Sequence, residues 1–388
     1  TISSIFLGQH NSDRATDTVN NVFTLCLIHA AVFGGLTLLF LDEILIFFGA
    51  TPETLPYARE FMQIILYGTP ASFVLIGLNN VMRATGYPAK AMITALISVI
   101  VNIALCPILI FTLGLGIKGA AIATISGQSI GAIWVLWHFL SRKSFIRFNR
   151  RGKWLSRSII ERIYAIGMSP FLMNVCACIV VVFINKALLD YGAEAGNMAI
   201  GAYGIINRAS MFFVMIVFGV TQGMQPILGF NYGAGQWHRV KRTLYMGIWI
   251  GVGINTLGWI MAELFPSVIS NLFTIDEGLT AIADRGLRIF FIFYPLVGCQ
   301  IVIQNFFQSI GKPRISIFLS LTRQLIFLLP LLFILPRHWG IDGVWASMSA
   351  SDFIAFVIAV VTAAIILRRE TRRFSTKTEN KSGETNVK

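Results

Sequence analysis

Two short polar patterns interrupt otherwise apolar stretches of this chain. Asn102 and Cys106 lie four residues apart in one stretch, and Thr124 and Gln128 lie four apart in the next. Residues four apart share one face of a helix. Amide, hydroxyl and thiol groups on facing helices either bond to one another or hold a small polar guest. A rise of ~1.5 Å per residue puts Asn102 about 18 Å, and Gln128 about 20 Å, from the basic ends of their stretches. Cys106 and Thr124 both fall near ~24 Å by the same count. The four side chains meet if the two helices are neighbours. Bonding between helices alone would account for them at about 1 kcal/mol or less per contact. Polar groups at membrane depth are equally the usual mark of a functional position.

Two charges lie in later apolar stretches. Arg323 is ~15 Å and Asp352 ~24 Å from the basic ends by residue count. Unpaired, each would be costly in lipid, so they are expected to pair or to face a cavity. Two readings stand for the pair: a structural salt bridge, or a switch operated by a proton. Arg208 and Glu263 are nearer the opposite end, where long side chains reach water.

Catalytic patterns are absent. There is no G-x-x-x-x-G-K-[ST] loop, no H-E-x-x-H and no G-x-S-x-G. The five histidines, at 10, 29, 138, 238 and 338, form no cluster. Cys26, Cys106, Cys176, Cys178 and Cys299 sit in apolar runs, and Cys176-Ala-Cys178 lacks metal-ligand spacing. They read as small packing residues. The chain is not read as an enzyme, and no cofactor or metal site is indicated.

The elements that carry these residues are membrane helices. Of 388 residues, 55% are apolar and only 13% charged, and mean hydropathy is +0.72. A soluble domain carries roughly 25% charge. Crossing a bilayer takes about 20 apolar residues. Ten spans meet that need, near 18–41, 58–84, 90–113, 117–141, 159–189, 197–231, 243–273, 281–310, 314–336 and 340–367. Continuous runs without alternation favour an all-α integral membrane fold over a barrel.

Charge sets the orientation. The segment Arg142–Arg162 holds eight Lys/Arg against one Glu, and Arg368–Lys388 holds seven against three. Basic clusters can mark nucleic-acid binding. Flanking apolar spans, they read instead as a positive-inside signal, with no nucleic acid involved. If the spans alternate, Arg14, Arg83, Lys90, 142–162, 238–242, Lys312, Arg314 and 368–373 share the cytoplasmic side. Asp42, Glu43, Glu53, Asp190, Glu194, Asp276 and Glu277 face out, and Lys118, Arg337 and His338 are minor exceptions. The plasma (inner) membrane is the expected location, with the C-terminus cytoplasmic.

The chain also repeats itself. Gly8, Arg14, Pro70, Asn80, Gly86 and Pro88 recur 225 positions later as Gly233, Arg239, Pro295, Asn305, Gly311 and Pro313. GIKGAA at 116–121 returns as GIDGVW at 340–345, with the offset one shorter. Internal repeats of this length are common in transporters. The ruler divides the chain into a first lobe at 1–141 with four spans, a basic linker at 142–158, and a second lobe at 159–367 with six. A disordered basic tail is expected at 368–388. The first lobe lacks a counterpart to spans five and six, so ten of an expected twelve helices are present. Asn102 and Cys106 align with Phe327 and Leu331, and Thr124 and Gln128 with Met348 and Asp352. The first polar cluster is thus confined to one copy.

GLNNVMRATGYPAKAM at 77–92, QPILGFNYGAGQWHRVKR at 225–242 and GMSPFLMN at 167–174, taken in order, resemble the multidrug and toxic compound extrusion (MATE) family. The texture is nearest its bacterial branch with MepA-like and DinF-like members. The resemblance implies two lobes of six helices and a central cavity open alternately to each side. It also implies export of drugs or other small, often cationic, organic compounds, driven by inward H⁺ or Na⁺. Membrane lipid is the surrounding partner and a monomer the expected state.

In the family a cation site in the first lobe uses an acidic residue on the first helix, an Asn and an Asp on the fifth and a Thr on the sixth. Asn102 and Thr124 fall on the matching Asn and Thr, and Gln128 lies one turn beyond Thr124. Cys106 falls where many members carry Asp, and a thiol is a poor ligand for a hard cation. Only neutral protein oxygens would remain, which favours H⁺ coupling or a weakened Na⁺ site at least as much as ordinary Na⁺ coupling. Substrate contact is expected from Asn174, Gln222, Gln225, Gln300 and Gln304, with the adaptable Met211 and Met215. A lipid-linked oligosaccharide flippase shares the two-lobe architecture but would favour more cavity cations for pyrophosphate than Lys186, Arg208 and Arg323 supply.

Overall fold

The computed structural model describes residues 1–141, 144–149, 152–192 and 195–385, with side chains as far as residue 373. Arg142, Lys143, Arg150, Arg151 and Glu194, all used above to read topology, lie outside the described residues. The described chain is helical, with no strand among its elements. Among the described residues eight helices are long and apolar enough to cross a membrane, or up to ten spans if each of two bent pairs counts as one. Large apolar side chains point outward, among them Phe33, Ile100, Phe111, Phe212 and Trp249. A surface of that kind needs lipid rather than water.

The contacts divide the chain into two units, Ile2–Arg162 and Ile163–Lys388. The first contains α1 (Ile2–Gly8), α2 (Ser12–Leu39), α3 (Leu41–Phe47), α4 (Leu55–Tyr67), α5 (Thr69–Ala84), α6 (Pro88–Pro107) and α7 (Gly116–Leu140). Its core is built on Val19, Leu78, Met82, Val135 and Phe139. The helix α8 (Arg157–Gly192) begins at the boundary. The second unit continues with α9 (Gly196–Gly233), α10 (Trp237–Leu264), α11 (Pro266–Asn271), α12 (Glu277–Phe291), α13 (Tyr294–Ser309), α14 (Pro313–Leu321), α15 (Leu329–Ile334) and α16 (Pro336–Thr385). Its core is more aromatic, with Phe291, Tyr294, Phe306, Phe307 and Trp345 all buried.

The repeat holds at the level of single dihedral angles. The bent pairs are α4–α5, at 51°, and α12–α13, at 54°. Each bend precedes a repeated proline, Pro70 or Pro295, which lacks an N–H and starts a new helix well. Gly86 and Gly311 both adopt left-handed φ, at 96° and 75°, and so do Gly116 and Gly340, at 51° and 57°. His10 takes φ 56° where its counterpart is Gly235 at 75°. The first lobe therefore carries a side chain at a turn that favours glycine. The outer salt bridges repeat with reversed sign. Lys118 pairs with Glu60 at 2.9 Å, and Asp342 pairs with Arg285 at the matching positions.

The helix α7 packs against α6 along a stripe of small residues. Gly119, Ala123, Gly127 and Gly131 recur every four residues and are all buried. Such stripes let membrane helices approach closely. A Cβ on Gly127 would stand 2.4 Å from the Ser98 carbonyl oxygen, with the Asn102 nitrogen at 3.4 Å. The second lobe repeats the stripe on α16 as Gly343, Ser347, Ser351 and Ala355. There the Ser347 hydroxyl donates to the carbonyls of Gly343, at 2.6 Å, and Leu331, at 2.9 Å. Among the cysteines, Cys26 is a packing residue, its sulfur filling the space beside Gly77.

Two expected boundaries change. The segment 142–158, expected to link the lobes, is strapped to the first where it is described. Asn20 Nδ2 donates to the Asn149 carbonyl at 2.8 Å, and Asn21 Nδ2 to the Lys153 carbonyl at 2.8 Å. In return Asn21 Oδ1 accepts from Ser156 N at 2.7 Å, and Asp17 Oδ1 from Lys153 N at 2.9 Å. Phe148 stacks on Trp154. The tail, expected to be disordered from Arg368, instead continues α16. Glu370 is buried there, where Lys312 Nζ reaches it at 2.5 Å and the Tyr232 hydroxyl donates to it at 3.4 Å. Trp237 Nε1 donates to Thr371 Oγ1 at 2.9 Å. Internal partners order a stretch whose composition alone suggests solvation. Residues 386–388 lie outside the described residues.

Three outcomes are expected. Replacing Asn20 and Asn21 together by Ala releases the strap, and limited trypsinolysis should cut within 147–157 markedly faster than in the unmodified chain. The Gly127→Ala change forces α6 and α7 apart, with a loss of about 1–3 kcal/mol read as a lower unfolding temperature in detergent. His10→Gly relieves the left-handed turn and should raise that temperature, by up to ~1 kcal/mol of stability.

Candidate functional site

Close packing of α6 on α7 brings Asn102 to Thr124. Asn102 Nδ2 donates to Thr124 Oγ1 at 3.2 Å, and Thr124 Oγ1 donates to the Ala120 carbonyl at 2.9 Å. Both side chains are half-buried. One turn toward the basic end, the Ser98 hydroxyl donates to the Gly127 carbonyl at 2.6 Å and holds the same helix pair together. The threonine hydroxyl is thereby oriented, with its proton spent on the backbone. The Asn102 Oδ1 atom and a lone pair of Thr124 Oγ1 are the acceptors this pair offers to a guest. Both are neutral oxygens.

The other two members of the sequence cluster behave differently. Gln128 Oε1 accepts from the Ser72 hydroxyl on α5. That bond ties α7 to the bent span rather than to α6. Cys106 is half-buried and reduced. Among the described hydrogen bonds it has none to Asn102, Thr124 or Gln128. Pro107 follows it, and the chain then widens into π-helical turns at Ile108–Thr112. Ser72 was missed by sequence reasoning. Its only signal is a hydroxyl two residues after the repeated Pro70.

In the second lobe the two membrane-depth charges meet. Arg323 Nε donates to Asp352 Oδ1 at 2.6 Å, with the Asp352 side chain 4% exposed and that of Arg323 28%. Arg323 lies in a second run of π-helical turns, Thr322–Leu328. Turns of this type often accompany functional positions. Beside the pair is a cavity of about 50 Å³ lined by Arg323, Gln304, Asn305, Ser320, Gln324 and Met173, among others. Gln304 Nε2 donates to Ser320 Oγ and approaches the Met173 sulfur at 3.5 Å.

The expected substrate-contact residues differ in their exposure. Gln304 lines the small cavity, and the other six line neither of the two described cavities. Gln300 is fully buried, and its Oε1 has no partner among the described atoms. Gln225 is half-buried. Gln222, Met211 and Met215 are exposed. Asn174 is exposed too, and its Nδ2 donates to the Pro170 carbonyl at 2.8 Å, one turn back on α8. That bond serves the backbone beside a proline inside the helix.

The larger described cavity, of about 450 Å³, lies beside the Arg285–Asp342 ion pair and is walled by Tyr191, Trp339 and Trp345. Aromatic rings of that kind are typical of the membrane–water boundary.

Comparison with known proteins places this architecture. The MatE family model matches residues 1–108 and 165–334. The multidrug export protein MepA of Staphylococcus haemolyticus (strain JCSC1435) is 27% identical over 340 residues, covering 87% of this chain and 74% of that protein. MepA of Staphylococcus aureus (strain N315) is 27% identical over 333 residues, 84% of this chain and 71% of that one. Among solved structures, the MATE multidrug transporter DinF-BH, solved as a complex, superposes with a TM-score of 0.85 at 32% identity. The match covers 94% of this chain and 81% of that one. A MATE structure in the bent conformation gives 0.90 at 22% identity, covering 96% and 83%, and shows the shared fold. With its repeated lobes, its bent spans and a family match across most of its length, the chain is a multi-pass membrane protein of the MatE family, whose members are transporters and not enzymes.

Proposed function

We propose that this protein exports small organic compounds, often cationic, in exchange for inward H⁺ or Na⁺, by alternating access of a cavity to the two sides of the membrane. The curated relatives named above are multidrug export proteins, and the solved relative at 32% identity is a multidrug transporter. The observation that carries the reading for this chain is the Asn102–Thr124 bond. Those two residues occupy the positions that the family resemblance assigns to a cation site. They are prearranged by the close α6–α7 contact, where Gly127 leaves no room for a Cβ. Hard cations prefer several oxygen ligands with negative charge among them, and Asn102 and Thr124 supply neutral oxygens while Cys106 supplies none. The pair therefore fits weak Na⁺ binding, or a proton-linked cycle whose titrating carboxylate comes from the family's first helix, at least as well as tight Na⁺ capture. Its basic ends face the cytoplasm of a plasma membrane, and the working unit is a monomer in lipid.

Efflux of a cationic dye from proteoliposomes, under Na⁺ and H⁺ gradients imposed separately, tests the reading. One gradient should accelerate efflux, and Asn102→Ala or Thr124→Ala should cut that acceleration by about tenfold, the effect of ~1.4 kcal/mol of lost coupling, with normal membrane insertion. A lack of response to either gradient would overturn the antiport assignment. Full coupling in both variants would remove Asn102 and Thr124 from the site.

A further inference from the structure

The Arg323–Asp352 pair has no counterpart in the first lobe. The repeat places Ser98 and Gln128 at the matching positions, both neutral and both engaged by neutral groups. A merely architectural need of this helix pair is thus met without charge in one copy. In the other copy two ionised groups are held at membrane depth. Pairing lowers their cost without making them stabilising relative to apolar residues, so a buried pair is weak evidence for a structural role.

The surroundings provide a second position for the arginine. Only Nε is engaged with Asp352 in the described contacts, so the guanidinium does not form the bidentate fork that holds such pairs most firmly. The adjoining cavity, at about 50 Å³, has room for water. It is lined by Gln304, Asn305, Ser320 and Gln324, and Gln324 Oε1 is buried with no partner among the described atoms. A neutral acceptor therefore waits beside a cation that is bonded elsewhere.

We infer that Asp352 and Arg323 form a second, proton-operated coupling site, exclusive of an organic cation, inside the second lobe. This rests on the export reading above. In the step itself the Asp352 carboxylate takes one proton from a hydronium ion, whose O–H bond breaks to leave water. An O–H bond forms on the carboxyl oxygen, and the pair passes from neutral to singly positive. Arg323, released, turns to the amide oxygens of the cavity. The added positive charge repels a cationic substrate from the neighbouring surface, where Met173 and Gln304 lie. Loss of the proton restores the neutral pair and readmits the cation. Among the elements packed against α16, α12 carries Glu277, Asp284, Arg285 and Arg288, α13 carries Tyr294 and Cys299, α14 carries Arg314, and the π-helical turns carry Arg323 itself. Helices α8, α9 and α10 also reach α16, near Gly340, at Trp345, and at Glu370 and Thr371. Their parts that touch it bring Lys186, Asp190 and Tyr191 on α8, Tyr203, Arg208 and Tyr232 on α9, and His238, Arg239, Lys241 and Arg242 on α10. Asp284 is bonded by Ser267 and Ser270, Arg285 by Asp342, and the Tyr294 hydroxyl donates to the Ser210 carbonyl. Arg323 is the charged partner recorded for Asp352.

Two measurements on the full chain test this. In acid-minus-neutral difference infrared spectra, the unmodified protein should show a carboxylic-acid C=O band that is missing in the neutral double variant R323Q/D352N. Equilibrium binding of tetraphenylphosphonium should weaken by about tenfold on acidification, the size of a like-charge repulsion at roughly 10 Å in a medium of intermediate polarity. The double variant should bind at the high-pH level throughout, and Asp352→Asn, which leaves the arginine charged, at the low-pH level throughout. The double variant keeps the test open if the single one does not fold. An unchanged infrared band, or a pH-dependent binding curve retained in the double variant, overturns the proposal. The infrared result is independent of transport, so failure of the export reading would show separately as gradient-insensitive efflux.

Discussion

In a hydrocarbon layer every peptide group must find its hydrogen bond inside the protein, because no water is there to replace it. Each departure from a straight helix in this chain is bound by that constraint. The repeated prolines at 70 and 295 remove an N–H and bend two spans by more than 50°. The structure answers with side chains. Asn255 Nδ2 donates to the Tyr294 carbonyl at the second bend, at 3.2 Å, and Thr69 Oγ1 donates to the Leu66 carbonyl at the first, at 2.6 Å. On α8, Asn174 bonds back to the carbonyl of Pro170, one turn earlier. Several polar residues that catch the eye as ligand groups are, on this account, maintaining backbone.

The same constraint separates groups held for the fold from groups held for chemistry. Asn20 and Asn21 are fully buried, and the strap supplies their partners on the backbone side. Asn102 is different: its partner is a side chain on another helix, and its acceptor oxygen is left over. Arg323 and Asp352 are further still from architectural need, since the first lobe places a serine and a glutamine at the matching positions, each bonded to a neutral group elsewhere. The two lobes thus share one frame and differ in the charge they place on it.

Much of this was legible in the sequence, for physical reasons that can be named. The apolar runs fall on the eight helices and the two bent pairs that are long and apolar enough to cross a membrane among the described residues, because lipid enforces length and composition. The repeat foretold equivalent turns, and Gly86 and Gly311, or Gly116 and Gly340, share their left-handed angles. The cost of either charge alone left Arg323 and Asp352 to pair or to face a cavity, and they pair. Contacts that depend on how the chain returns on itself were not legible. Gln128 was grouped with Thr124 by helical spacing, yet the bend of α4 on α5 brings Ser72 to it first. The strap on α2 and the packed end of α16 look like solvated basic segments, because their partners Asn21, Asp17, Lys312 and Tyr232 are more than fifty residues away.

Why the polar groups sit where they do follows from the small-residue stripes. Thr124 and Gln128 each follow a stripe residue, Ala123 and Gly127, and Met348 and Asp352 follow Ser347 and Ser351 in the same way. A residue one place past the contact line of a helix is turned by about 100° from it. It stands on the flank of the helix pair, neither in the contact nor on the opposite face. Close approach at the stripe brings the partner helix near enough for a single hydrogen bond to cross, as Asn102 and Arg323 both show. The flank position leaves the remaining lone pairs of each acceptor turned away from the contact. The small residues thus do two things at once. They hold the helices at a fixed distance, and they set the angle at which a polar neighbour is partnered across the pair. A methyl group added on the stripe would therefore disturb a site it never touches.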